Sequence, residues 1–357
     1  MKKLNVAIIG QGRSGRDIHG AYFLSEANKL FNVVAVVDQI EFRRERAKKD
    51  FGCDVYSDYK ELFNRNDLDI VVNSTFSHEH YPITMDLLNH GLNVVVEKPF
   101  SAHAAECQDM IDAAKANNVM LTVFQQSHYA PAYKRVKEIL NSGVLGEIKQ
   151  ISVAFSGFAR RWDWQCSQRF YGGSLRNTGP HPMEQVLDLM DLDCDKLPEV
   201  IVSRLGQANT FGDAEDYVKI LLMHPGRPVF DVEINSCDAY SDYNYKVQGT
   251  RGGLKATLTH LNYKYFKEEE APEQKLILEP LSHEDGSPAY CGEKLKWYEF
   301  DEDLTGSAFT SAVDEYYTMV YHHLVDGGEL VIKPEKIKQE IALMEKVHEQ
   351  NPLPVKF

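Results

Sequence analysis

The sequence predicts a two-domain chain. Residues 1–125 read as a Rossmann-type doubly wound parallel sheet, and residues 126–357 as an α+β domain on a mostly antiparallel sheet. Three observations carry this. Short Val- and Ile-rich runs alternate with longer amphipathic stretches as far as Phe124. A glycine-rich turn follows the first of those runs directly. Beyond Pro131 the alternation gives way to strand-like runs with few helices between them.

In the first part the apolar runs are Val6–Ile9, Val33–Val37, Ile70–Val72, Val94–Val96 and Met120–Phe124. The segments Arg43–Phe51, Ile83–His90 and Ala104–Asn117 have helical length and spacing. Gly52, Gly91 and Asn117–Asn118 stand where those helices should stop. Continuous apolar strands alternating with helices imply a parallel sheet covered on both faces. In the second part a helix is expected over Ala132–Asn141, ended by Gly143. Strands are expected over Ile148–Ser156, Val200–Gln207, Tyr217–Met223, Val229–Ser236 and Tyr245–Gln248. Helices near Ala308–Leu324 and Pro334–Glu349 close the chain, the last able to pack back on the first domain. Lys267–Gln274 and Ser282–Gly292 read as solvated hairpin or loop.

Composition narrows the function classes. At 357 residues the chain exceeds the size at which one core keeps growing. A hydrophobic share of 43% and a charged share of 26% are ordinary for a globular protein. A net charge of −14 argues against nucleic-acid or anionic-membrane partners, which reward a positive surface. No apolar run spans a bilayer, and Val6–Ile9 is too short for a signal peptide. The 6 cysteines are scattered, which reads as reduced thiols in a cytoplasm.

The first strand runs into Gly10-Gln11-Gly12-Arg13-Ser14-Gly15. Such a pattern alone is weak; between a strand and a helix it is the dinucleotide fingerprint. Its glycines allow a tight turn, close approach of the pyrophosphate and tight helix packing, and the helix N-terminus attracts phosphate. Asp38 ends the second strand, where a carboxylate can accept bonds from the adenosine ribose. It would repel a 2′-phosphate, so NAD is expected over NADP. Arg43 and Arg44, read first as solvated helix residues, keep NADP open.

The fifth strand ends in Glu97-Lys98-Pro99. Ligands bind at the carboxyl ends of such strands, so Lys98 belongs where nicotinamide and substrate meet. Partial burial would bring its pKa into a useful range, and Pro99 would fix the turn, in a cis peptide if needed. Farther on, Tyr171-Gly172-Gly173-Ser174-Leu175-Arg176-Asn177-Thr178-Gly179-Pro180-His181 precedes the amphipathic stretch Met183–Met190. The glycines and Pro180 read as a turn presenting a helix start, with Pro180 and Pro182 arguing against regular helix before residue 182. Histidine suits proton transfer near neutral pH. Phe158, Arg160, Arg161, Trp162, Trp164 and Tyr171 crowd the approach. Singly each could be core or solvated turn; as a group they suit a pocket wall for sugar rings and their oxygens.

These motifs together resemble the glucose–fructose oxidoreductase/inositol dehydrogenase/MocA family (Gfo/Idh/MocA). The resemblance rests on Gly10–Gly15, Asp38, the loop Asn73-Ser74-Thr75-Phe76-Ser77-His78-Glu79-His80, Glu97-Lys98-Pro99 and the Gly172–His181 signature, and it covers nearly the whole chain. It implies a second domain with a large open sheet, often used to form oligomers, here a homodimer or homotetramer. It implies Lys98 and His181 as the catalytic pair, with Thr75, His80, Glu97 and Gln126 around the nicotinamide. The family usually carries aspartate where this chain has Asn177. Without that carboxylate His181 should titrate lower, and a substrate borrowed from inositol dehydrogenases is not assumed.

His78-Glu79-His80 lacks further ligands and is read as a cofactor-side loop, so no metal is expected. No Gly-x-Ser-x-Gly elbow marks a nucleophile. The expected activity is hydride transfer between NAD, or NADP, and the carbinol carbon of a sugar, polyol or sugar derivative. Lys98 and His181 would move the proton and Asn177 would orient substrate or histidine. Two alternatives share the cofactor site: a glycosidase using NAD for transient oxidation and elimination, and a non-catalytic NAD(P)-sensing regulator.

Overall fold

The structure, a computed structural model, describes residues 2–357. Its first layer is a six-stranded sheet of β1 (Leu4–Ile9), β2 (Phe31–Val37), β3 (Asp54–Tyr56), β4 (Ile70–Asn73), β5 (Val94–Val96) and β6 (Leu121–Val123). All its pairs are parallel and the spatial order is β3-β2-β1-β4-β5-β6. Chain order reverses between β1 and β4, and the crevice at their carboxyl ends is where a doubly wound sheet binds ligands. Val6, Ala7, Ile8, Val71, Val72, Val94, Val95 and Val96 are wholly buried, which is why these strands are apolar on both faces. The strand β3 was not expected. It is short, begins with Asp54 and lies at the sheet edge, where one side needs no apolar cover.

The helices of this half are α1 (Ala21–Leu24), preceded by a π-wound stretch over Gly15–Gly20, then α2 (Glu41–Phe51), α3 (His80–Asn89) and α4 (Ala104–Ala116). Gly52 and Gly91 take positive φ of 66° and 75° just past α2 and α3, as expected of residues ending a helix.

The second half opens with α5 (Pro131–Ser142) and β7 (Ile148–Ala154), followed by α6 (Ser174–Asn177) and α7 (Pro180–Met190). Then come β8 (Val200–Gly206), β9 (Tyr217–Met223), β10 (Val229–Asn235), β11 (Tyr245–Gly249), β12 (Gly252–Ala256) and β13 (His260–Tyr265). A small exposed hairpin of β14 (Leu281–Ser282) and β15 (Pro288–Ala289) precedes β16 (Tyr298–Asp303). The eight-stranded sheet has the order β16-β13-β12-β11-β7-β10-β9-β8 and is antiparallel except for β7 beside β10.

Strands β12, β13 and β16 escape the sequence pattern. The first opens on two glycines, and the other two face solvent with Asn262, Lys264, Glu299 and Asp301, so only half of each strand carries an apolar signal. Their register is held partly by aromatic pairs: Tyr263 stacks on its cross-strand partner Phe300 at 4.5 Å. One sheet face buries Tyr245, Val247, Leu254 and Leu261, while Lys246, Gln248 and Lys255 stand exposed on the other.

The chain closes with α8 (Ser311–Asp326) and α9 (Pro334–Gln350). Both return to the first sheet. Tyr316 and Tyr317 of α8 are wholly buried against Phe124 and Phe31. Helix α9 lies along α4, tied by Glu345 to His103 and Ala104 and by Glu335 to Lys115. No helix among the described residues is long and apolar enough to cross a membrane.

Candidate active site

The glycine turn packs as its residue types demand. Gly10 has φ of 90°, and a Cβ there would lie 2.6 Å from the Ser74 carbonyl oxygen. A Cβ on Gly15 would lie 1.9 Å from the Gly10 oxygen. At Gly12 a Cβ would meet nothing within 4 Å, so this residue faces open space at the crevice. Arg13 is exposed and Ser14 half-buried on the way into the helix. Asp38 is buried beside the turn, and its carboxylate accepts the N–H of Gln11 at 2.7 Å and of Ile40 at 2.8 Å. Arg43 approaches the same carboxylate at 3.4 Å, while Arg44 folds back onto the Asp38 carbonyl at 2.7 Å. An open backbone cradle next to an oriented carboxylate fits a dinucleotide.

On the nicotinamide side, the β4 loop is braced from within. Thr75 donates its hydroxyl to Asn73 Oδ1 at 2.8 Å. His80 lies between two backbone carbonyls, its Nδ1 2.7 Å from that of Pro99 and its Nε2 3.3 Å from that of Thr75. Burial lowers its pKa and favours the neutral ring, whose single N–H serves one carbonyl; the shorter contact ties it to the Lys98-Pro99 turn, whose peptide is cis. Glu97 is buried too. Its Oε1 meets His19 Nε2 at 3.0 Å and its Oε2 accepts the Lys98 N–H at 3.0 Å. Burial works to raise the Glu97 pKa, but His19 and Lys98 outweigh it and hold the carboxyl below its usual range. His19 passes on to the Tyr317 hydroxyl at 2.6 Å, so α8 of the second half braces Glu97. Gln126 is buried, and its Oε1 has no partner among the described residues.

The structure brings Lys98 and the distant signature together. Lys98 Nζ donates to the Asn177 carbonyl at 2.6 Å. Asn177 and His181 sit on separate helices, α6 and α7, divided by Thr178-Gly179. A Cβ on Gly179 would lie 2.0 Å from the Leu175 oxygen, so glycine permits the close turn. Helix α7 begins at Pro180, earlier than the two prolines suggested. Prolines in a first turn remove N–H groups that have no intrahelical acceptor anyway. His181 Nδ1 is 3.0 Å from Ser127 Oγ. Ser127 is itself held through its carbonyl by Gln185, which accepts the Tyr245 hydroxyl.

Both groups lie deep in the cleft, yet each keeps part of its surface open. Burial lowers the Lys98 pKa against the opposing charge of Glu97. Burial, then the Lys98 charge, pushes His181 down to about 3. The imidazole is therefore neutral at working pH. The sequence expectation of a low value stands, but its main cause is burial.

Of the aromatic and basic approach, Phe158 and Arg161 line a cavity of about 250 Å³ with Gln165, Asn177, Thr178 and Asn235. Trp164 packs edge-on to Phe76 at 4.8 Å, joining the two halves. Tyr171 takes a left-handed φ of 56° beneath the Arg176 guanidinium. Arg160 and Trp162 point outward, Trp162 being 78% exposed, and neither lines that cavity.

Several residues escaped the sequence reading. Ser127 and His19 carried no motif signal, although His19 lies four residues past Gly15. Glu340 of α9 is 1% exposed and neither carboxylate oxygen has a partner among the described residues. Burial, then the charge of Glu184, raises its pKa well above the usual range against the pull of Lys98. It is a buried acid held in its neutral form within electrostatic reach of Lys98. Glu184 itself meets His128 at 2.8 Å. Nothing local in the sequence distinguishes Glu340 from the exposed acids of the same helix.

Comparison with known proteins agrees with this architecture. Residues 4–125 match the family model described as the oxidoreductase family, NAD-binding Rossmann fold. Residues 133–255 match the GFO/IDH/MocA C-terminal domain. The chain belongs to the Gfo/Idh/MocA family of NAD-binding oxidoreductases. A 2,7-anhydro-N-acetylneuraminate hydratase of Mediterraneibacter gnavus is 23% identical over 71% of this chain and 67% of its own. An inositol 2-dehydrogenase/D-chiro-inositol 3-dehydrogenase of Lactiplantibacillus plantarum is 33% identical over 40% of this chain and 41% of its own. Among solved structures, an NAD-binding protein from Listeria innocua superposes with a TM-score of 0.79 at 20% identity, covering 98% of each chain. GenD2 from gentamicin A biosynthesis, in complex with NAD, gives 0.77 at 20% identity, covering 98% of this chain and 94% of its own.

Proposed function

We propose that the chain is a dehydrogenase or reductase that moves a hydride between nicotinamide and the carbinol carbon of a sugar, polyol or sugar derivative. The observation that carries the reading is the Lys98 Nζ–Asn177 bond of 2.6 Å, by which the cofactor half and the signature of the second half share one cleft. Residues 1–125 act as the cofactor domain and 126–357 as the substrate domain.

Gly10, Gln11, Gly12, Arg13, Ser14 and Gly15 hold the pyrophosphate through backbone N–H groups and the helix start. Asp38 takes the ribose hydroxyls and favours NAD over NADP. Thr75, His80, Glu97 and Gln126 form the nicotinamide side. When bound, the nicotinamide supplies the hydride acceptor, or the donor in reverse. Lys98 holds the substrate oxygen, and His181, neutral at working pH, takes the hydroxyl proton. Asn177 orients the substrate, and Arg160, Trp162, Trp164 and Tyr171 form an outer wall that meets larger substrates. In this reading kcat/KM for oxidation has no acid limb from His181 between about pH 5 and 7, because its pKa is already about 3.

The enzyme works in the cytoplasm, where its free cysteines stay reduced, and pairs through the exposed face of the eight-stranded sheet as a homodimer or homotetramer. Light scattering on the purified protein tests the assembly; a monomer at micromolar concentration would refute it.

The test of the activity is a panel of sugars, polyols and glycosides with NAD and NADP, read by reduced-cofactor absorbance. Turnover with NAD on at least one hydroxyl substrate is expected. Silence across the panel in both directions would sink the reading. One relative is named a hydratase, a reaction without net oxidation, and this favours a second reading, transient oxidation of the substrate by NAD, elimination, and return of the hydride from NADH to the product. Product release from a glycoside with no net change in cofactor absorbance would establish it.

A further inference from the structure

The side chain of Asn177 is oriented by a relay whose direction chemistry dictates. Arg161 is held by two bonds of 2.9 Å to the carboxylate of Asp163. Its Nη2 also donates to Gln165 Oε1. Gln165 Nε2 then donates to Asn177 Oδ1 at 3.0 Å. A guanidinium has five N–H donors and no acceptor, so the relay runs in one direction only. Gln165 must turn its oxygen to Arg161, hence its amide nitrogen to Asn177, hence the Asn177 oxygen onto Gln165. What remains is Nδ2, which donates to no group among the described residues. Asn177, Gln165 and Arg161 all border the same cavity of about 250 Å³.

This changes what a substrate meets beside Lys98. The Lys98 ammonium and the Asn177 amide nitrogen are both donors. An aspartate at this position would offer acceptor oxygens and a negative charge. The anions nearby do not replace it: Glu97 is bound to His19, Glu340 is a neutral acid, and Glu215 and Asp216, which line the same cavity, are turned onto the backbone N–H groups of Leu175 and of Ala208, Asn209 and Thr210. Arg13 and Arg161 add positive charge within reach of Lys98. A hydroxyl can accept from Nδ2, but its own proton must then share an oxygen that is already engaged, such as the Asn177 carbonyl or the Glu215 and Asp216 carboxylates. A carboxylate has no such proton and brings the missing charge.

We propose that the Arg161–Gln165 relay fixes Asn177 as a hydrogen-bond donor, and that the substrate is a sugar acid whose carboxylate receives this bond next to the reacting carbon. The proposal rests on the hydride-transfer reading and narrows its substrate class.

The experiment uses matched pairs, uronates and aldonates each with its neutral sugar or polyol, on the full-length protein with NAD. Wild type should favour the acid member by about 10-fold or more in kcat/KM. Gln165→Glu is the decisive variant. A glutamate there accepts from Arg161 with one oxygen and from Asn177 Nδ2 with the other, which engages Nδ2 and leaves Oδ1 as the free atom. The acid-to-neutral ratio should then fall about 10-fold, as it should in Asn177→Asp. Gln165→Ala removes the relay without reversing it and should lower kcat/KM for both members alike. Preference for the neutral member in wild type overturns the proposal, as does an unchanged ratio in Gln165→Glu at unchanged Tm. If no pair turns over, the hydride-transfer reading fails by itself. The relay is then judged by thermal shift with NAD: greater stabilisation by the acid member supports it, and equal stabilisation overturns it.

Discussion

The two ends of the cleft are built by opposite means. At the Asp38 end, recognition comes from backbone. A turn, a helix start and one carboxylate lie within residues 10–38, and their geometry follows from glycine positions. The Lys98 end is built from side chains drawn from across the chain. Lys98 meets Asn177, His181 meets Ser127, Glu97 meets His19, which in turn meets Tyr317, and Glu340 arrives on the last helix. A backbone cradle needs only local conformational preferences, whereas a side-chain site needs the two halves docked first. The first end should therefore tolerate changes at the second.

Lys98→Ala offers the largest effect that would break this separation. Turnover should fall about 10²–10⁴-fold, the range of a lost acid–base group, while NAD still binds in a fluorescence titration. Parallel loss of NAD binding would mean that the two ends are one unit.

Asp38→Ala probes the other end. The KM for NAD should rise about 10–100-fold and discrimination against NADP should shrink, with kcat on the best substrate nearly constant. An equal fall in kcat would contradict independent ends.

Glu340→Gln gives the smallest effect and reads stability. The Glu340 carboxyl has its pKa raised in the folded state, above its unfolded value. Its stabilising contribution is thus complete below the ordinary carboxylate range and is lost as pH rises through the folded value. Glutamine removes that dependence. The variant should melt a few degrees higher than wild type at pH 8 and about equally at pH 4, by calorimetry. A lower Tm at pH 8 would mean that the carboxylate is ionised and paired with Lys98.

How much of this was readable in the sequence differs between the ends for the same reason. The β1 strand, the Gly10–Gly15 turn and Asp38 lie together in sequence and in space, so spacing alone exposes them. Lys98 and His181 were legible as motif members and the family resemblance paired them, whereas spacing could not, since 83 residues separate them. Ser127, His19 and Glu340 left no signal because a serine, a histidine or a helical acid is common, and only burial makes these unusual. Strands β12, β13 and β16 were missed because their outward residues are polar. Trp162 looks in sequence much like Trp164, yet one is exposed and the other packs on Phe76.

The sequence by itself determined the parallel sheet, the cofactor turn, the switch to strands after Pro131 and the residue types available for proton transfer. These follow from periodicity and from glycine and proline geometry, which act over a few residues. Tertiary structure alone decided that burial pushes the His181 pKa down and the Glu340 pKa up, and that Asn177 Oδ1 accepts from Gln165. Burial and hydrogen-bond direction are set by contacts between distant segments, and no single segment contains them.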